Sequence, residues 1–187
     1  MKRNRKLNII CISSFLLLVF LFLFPFLNTL SISNRKNPAQ RFYSVKSYKN
    51  GFCISYTHSV NKGRVHDYYV FDKNTSELIM TKTHFVSYGA GIPEPEETEG
   101  ADFEVLENGY IINNINRRVP RLLMAVGIIA NHTISECNSS NEIIGEPLNE
   151  LPLKSFFAPQ TSIILEIKRV SLIEYIFNKL KPIKTTV

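Results

Sequence analysis

The 187-residue sequence has no acidic residue before Asp67, and no charge of either sign between Leu7 and Ile32. It has no internal repeat and no low-complexity segment. It has 3 cysteines and 4 histidines, and the histidines never fall in a His-x-His pair. Each absence excludes something. A duplex binder needs a clustered basic stripe to displace counterions from phosphate. The formal net charge is +6, but Lys2, Arg3, Arg5 and Lys6 lead the chain and Lys168, Arg169, Lys179, Lys181 and Lys184 end it. Between those ends bases and acids nearly balance, so no nucleic-acid partner is expected. A tetrahedral zinc site needs three or four converging ligands. His58, His66, His84 and His132 lie far apart in sequence, and no metal or cofactor is expected.

What is present begins with LNIICISSFLLLVFLFLFPFLNTLSI, residues 7–32. About 20 helical residues span the roughly 30 Å hydrocarbon core of a bilayer. The run predicts one N-terminal transmembrane helix. Asn28-Thr29-Leu30-Ser31 is a poor match to the small-residue cleavage pattern of a secretory signal. An uncleaved signal anchor is therefore expected, with residues 1–6 as a basic cytoplasmic tail. Residues 33–50 are polar and basic and read as a linker. Residues 51–187 are then expected outside the cytoplasm, on a single-pass cell-membrane protein. Cys53 and Cys137 could pair there, although no spacing argument brings them together.

The remainder is rich in strand signals. FCISYTHSV (52–60) alternates, with Phe52, Ile54, Tyr56 and His58 on the expected core face. Turns at 61–64 and 72–76 separate it from VHDYYVF (65–71) and ELIMTKTHFVSY (77–88). FEVLENGYII (103–112) predicts a hairpin turning at Asn108-Gly109, the pair favoured where both central residues need positive φ. LLMAVGIIANHTI (122–134) fits a strand or a buried helix, with Gly127 and the β-branched residues favouring strand, and SIILEIKRV (162–170) reads as the last strand. Apolar residues at 172, 173, 176, 177 and 180 predict a closing helix over 171–182. The class is mainly β: a small antiparallel sandwich or barrel with a C-terminal helix. That helix is expected to close the sandwich. Its bases, with Tyr175, Ile176 and Phe177, would also suit an anionic membrane surface.

Two constellations invite a chemical reading. In SYGAGIPEPEETEG (87–100), Gly89-Ala90-Gly91 leads to Pro93 and glutamates, where a phosphate loop needs N–H donors and a lysine. Gly89, Gly91 and Pro93 therefore read as a structural turn that ends in a solvated acidic loop. The acids lack the calcium-loop spacing. The second constellation is polar: His58, Ser59, Asp67 and His132 are the tentative ligand-binding residues. A Ser59–His58–Asp67 hydrolytic set is disfavoured, because adjacent strand residues point to opposite faces. No catalytic residue is assigned, and no enzyme is expected.

YTHSV (56–60), Val65-His66-Asp67, FVSYGAGIP (85–93) and AVGIIANHTI (125–134), in that order and spacing, resemble the domain-of-unknown-function family numbered 1850. The likeness covers about residues 51–170. The resemblance implies a small extracytoplasmic domain encoded beside TRAP transporters of the TAXI type, without enzymatic activity. TRAP permease subunits or the solute receptor are the implied partners. The family's polar positions fall on His58, Ser59, Asp67, Gly89, Gly91, Pro93 and His132. Asp67 stands where glutamate is more frequent, and Asn131 where aspartate is common. The leading expectation is a non-catalytic accessory component of such an uptake system. The alternatives are a ligand-binding module around His58, Asp67 and His132, and a metal-dependent enzyme.

Overall fold

A computed structural model describes residues 2–87, 98–137, 147 and 149–179. Helix α1 (Lys2–Leu23) leads, followed by β1 (Leu27–Asn34), β2 (Arg41–Ser44) and α2 (Val45–Asn50). Then come β3 (Phe52–Thr57), β4 (Arg64–Asp72), β5 (Glu77–Phe85), β6 (Asp102–Leu106) and β7 (Gly109–Asn113). The chain continues with β8 (Arg117–Val119), β9 (Leu122–Ala125), β10 (Thr133–Glu136), β11 (Leu151–Pro152), β12 (Ser162–Val170) and α3 (Leu172–Asn178). The strands form two antiparallel sheets. The smaller has the order β2-β1-β12-β9, the larger β11-β10-β3-β4-β5-β7-β6, and β8 pairs with β5.

The two sheets share one core. Leu30, Ile32, Ile163 and Leu165 from the small sheet pack with Phe52, Ile54, Tyr69, Leu78, Met80 and Ile134 from the large one. The fold is mainly β and antiparallel, as the alternating pattern predicts. β12 coincides with the predicted 162–170, and β3 pairs antiparallel with β4 across the predicted turn at 61–64.

The N-terminal third differs from expectation. The uncharged run 7–32 is divided: its first part is α1, and its last residues enter β1, which pairs with β12 from Leu27↔Val170 to Asn34↔Ile163. Thr29, Leu30, Ser31 and Ile32 are all buried. A run without charge fits a bilayer or a fully buried strand equally well. The alternation of Leu30 and Ile32 with Thr29, Ser31 and Ser33 is the strand period. The expected linker 33–50 likewise becomes β2 and α2, with Ser44 Oγ accepting from Ser47 N (3.1 Å) at the helix start. Only Phe24, Pro25 and Phe26 separate α1 from β1. Among the described residues, no helix is long and apolar enough to cross a membrane. The uncharged helical part, residues 7–23, is about 25 Å long at ~1.5 Å per residue.

Two further differences have local causes. The predicted strand 122–134 is two strands, β9 in the small sheet and β10 in the large, joined by a crossover at 126–132. That crossover turns at Asn131 (φ 43°). The hairpin at 102–113 turns one residue earlier than expected. Leu106 pairs with Gly109, so Glu107-Asn108 is the loop and only Gly109 has positive φ (151°). There a Cβ would lie 2.5 Å from the Phe85 carbonyl oxygen, so glycine is required for close approach. The predicted closing helix is shorter than expected, ending at Asn178. The turn assigned to Gly89, Gly91 and Pro93 lies outside the described residues.

Candidate functional site

β3 and β4 are central strands of the large sheet, covered on both sides. Phe52, Cys53, Ile54 and Ser55 are all buried. Side chains of even number on β3 and odd number on β4 face the inter-sheet core. The others form the opposite face.

Asp67 points into the core. It pairs with Ile54 and Thr83 across the ladders, and Thr83 Oγ1 donates to its Oδ1 at 2.7 Å. Burial raises the Asp67 carboxyl to about 6, against the smaller opposing pulls of the Thr83 hydroxyl and the Arg117 guanidinium. The neighbouring phenols of Tyr56 and Tyr69 are raised by burial and then by the Asp67 charge.

The two histidines of the tentative set hold turns. His58 is buried in the β3–β4 connection, where its Nδ1 accepts from Val60 N (3.3 Å) and Asn61 N (3.4 Å). His132 sits at the end of the crossover, and its Nδ1 accepts from Gly127 N at 2.9 Å. That bond places the ring proton on Nε2. Burial, then the Arg64 charge, lowers the His132 pKa, which favours the neutral ring the bond requires. A Cβ on Gly127 would lie 2.8 Å from Ala130 Cβ and 3.1 Å from His132 Cε1, so any larger residue there pushes on the crossover that His132 holds. Ser59 is exposed at the tip of the turn. Tyr56 lies between two of the set: its ring is 5.7 Å from that of His132 and its phenol senses Asp67.

A polar convergence on the opposite face was missed from the sequence. Arg64 Nη2 donates to Thr133 Oγ1 (2.7 Å) and to Glu150 Oε2 (2.9 Å), and its Nη1 to the Asn131 carbonyl (3.0 Å). Ser55 Oγ lies 2.8 Å from His66 Nδ1, and Glu150 Oε1 lies 4.0 Å from the same nitrogen. The His66 and His84 rings stack at 5.6 Å. Burial, then His84, pushes His66 down to about 4. Burial works to raise Glu150, but Ser55, Arg64 and Thr133 together hold it below the usual carboxylate range. The strand period carried this signal: His66 pairs with Ser55 on one side and His84 on the other once the ladders are aligned. Glu150, far away in sequence, was not legible.

The arrangement is not a hydrolytic triad. Serine and carboxylate both approach the same nitrogen of His66, whereas a triad uses opposite nitrogens. Among the described residues, no three His, Cys, Asp or Glu side chains group to hold a metal ion. Nearby, Cys53, Tyr68 and Cys137 form a small buried cluster, and both cysteines are free thiols. Burial raises both thiols, Cys137 to about 11.

Comparison with known proteins gives one match. No curated protein and no solved structure matches the chain. The matched segment runs from the start of β3 past β10, so it covers the core of the large sheet and the polar cluster up to Thr133. β1, β2, β12 and α3 fall outside it. Residues 52–142, just under half of the chain, match the family described as Domain of unknown function (DUF1850).

Proposed function

We propose that the chain is a membrane-anchored, non-catalytic β-domain held outside the cytoplasm, acting as an accessory component of a TRAP (TAXI-type) solute uptake system. The observation that carries the anchor is the surface of α1. Large apolar side chains from Ile9 to Phe24 stand exposed, among them Phe15 at 65%, Leu16 at 59% and Leu23 at 59%. A water-facing helix does not present apolar groups all round, and a patch of this size marks a membrane or protein contact. Its uncharged 7–23 stretch falls short of an ordinary span, as does every helix among the described residues. Local thinning and snorkelling of basic residues such as Lys6 accommodate a short span. The TRAP association rests on the family resemblance alone. The test is co-purification of the tagged full chain with the permease subunits. Recovery in one complex supports the reading, and unchanged solute uptake in a deletion strain counts against it.

A second reading, a ligand-binding module, is favoured by one observation. Glu150 Oε1 and Ser135 Oγ are buried without a hydrogen bond among the described residues. Both belong to the face that carries Arg64, Ser55 and His66, rather than to His58, Asp67 and His132. A small-molecule screen by thermal shift distinguishes the readings, since a ligand at concentration [L] adds RT ln(1 + [L]/Kd).

A further inference from the structure

We propose that the outer face of α3, together with Phe24 and Phe26, lies on the anionic lipid surface of the bilayer that holds α1. The inference rests on the anchor reading and names the surface contact that reading leaves open. α3 is turned the wrong way for a water-exposed helix. Ile173, Ile176 and Phe177 occupy i, i+3 and i+4, one helix face, and are 39%, 54% and 81% exposed. Its acid points the other way. Glu174 Oε1 accepts from the Tyr43 hydroxyl at 2.6 Å and lies 3.5 Å from Arg41 Nη1. Ser171 Oγ accepts from Glu174 N at 3.2 Å, which caps the helix start. These bonds fix the rotation of α3, so its apolar side is held outward.

The position of α3 follows from the chain path. α1 and α3 are in contact. Leu27, the first residue of β1, pairs with Val170, two residues before α3 begins. From Leu23 to Leu27 the chain reaches at most about 14 Å, so a bilayer holding α1 meets this end of the sandwich. Phe24 and Phe26 are 49% and 47% exposed at the bend. Bases ring the same end. Arg169 donates from Nε to Asn28 Oδ1, Lys168 pairs beside it with Glu166, and Lys179 lies over the Tyr175 ring at the end of α3. Apolar side chains rimmed by lysine and arginine match an acyl–headgroup boundary carrying negative charge.

The test uses the full chain, with Cys11→Ser, reconstituted into vesicles of phosphatidylcholine and phosphatidylglycerol. An environment-sensitive fluorophore is attached in turn to Phe177→Cys, Phe15→Cys and Val105→Cys. Val105 is 68% exposed on β6, at the far edge of the large sheet. Brominated lipid is the quencher. The expected result is quenching at 177 several-fold above that at 105, diminished when phosphatidylglycerol is omitted. Strong quenching at 15 with none at 177 overturns this inference and leaves the anchor standing. No quenching at 15 overturns both. Shielding of 177 from brominated lipid and from aqueous iodide alike reveals contact between copies of the chain, and also overturns the inference.

Discussion

Asp67→Asn should stabilise the protein at neutral pH, and the gain should depend on pH. The carboxyl moves from an ordinary 3.8 to about 6 on folding, because burial in the inter-sheet core disfavours its charge. Between those values the folded state binds more protons than the unfolded one, so the Asp67 contribution is fully present below pH 4. It is lost as pH rises through about 6. Two pH units at ~1.36 kcal/mol each give a cost of about 3 kcal/mol at pH 7 and above. Asparagine keeps an oxygen for the Thr83 hydroxyl and carries no charge. His66 works in the other direction. Its pKa falls from 6.5 to about 4 on folding, so its contribution rises with pH across an overlapping window. The wild-type profile is thus a near-cancellation, and the informative quantity is the difference between variant and wild type. We expect that difference to grow from near zero below pH 4 to about 3 kcal/mol at pH 7, or roughly 5–10 °C in Tm. Thermal unfolding of the full chain in detergent, followed by near-UV circular dichroism from pH 3.5 to 8, measures it. A difference that is flat with pH, or a variant less stable than wild type at pH 7, would refute the reasoning.

Three further outcomes follow from the same contacts. Arg64→Ala removes the shared donor of Glu150 and Thr133 and should cost about 1–3 kcal/mol in urea unfolding. Gly109→Ala forces a Cβ against the Phe85 carbonyl oxygen at a positive φ, so a loss of at least about 1 kcal/mol is expected in the same assay. Cys53 and Cys137, buried and held protonated, should resist a thiol reagent in the folded protein and react once it is unfolded in guanidinium.

The strands were legible where an alternating pattern or a β-branched and aromatic run is bounded by turn residues, as in β3, β4, β5 and β12. Reading failed where two environments share one composition. Leu27–Ile32 lacks charge whether it lies in lipid or between strands, and only the Leu30/Ser31/Ile32/Ser33 alternation separates the cases. The crossover at 126–132 was hidden because the β-branched Val126, Ile128 and Ile129 lie inside it and Thr133 and Ile134 follow it, and the sheet change leaves no mark beyond Gly127. For the site, His58 and His132 drew notice as isolated imidazoles, and the structure places both in turn-holding bonds to backbone N–H groups. The partners of His66 depend on ladder alignment and on Glu150, whose approach to β4 is a tertiary fact.

The central claim is that α1 seats in the membrane and delivers β1 directly into a domain outside the cytoplasm. Labelling by a membrane-impermeant maleimide in right-side-out spheroplasts tests it most directly, using Cys11→Ser chains that carry either Asn37→Cys or Asn4→Cys. Asn37 is exposed in the β1–β2 connection. The account predicts labelling at position 37 in intact spheroplasts, and at position 4 only after permeabilisation. Labelling at position 4 in intact spheroplasts, with position 37 protected until lysis, would contradict it.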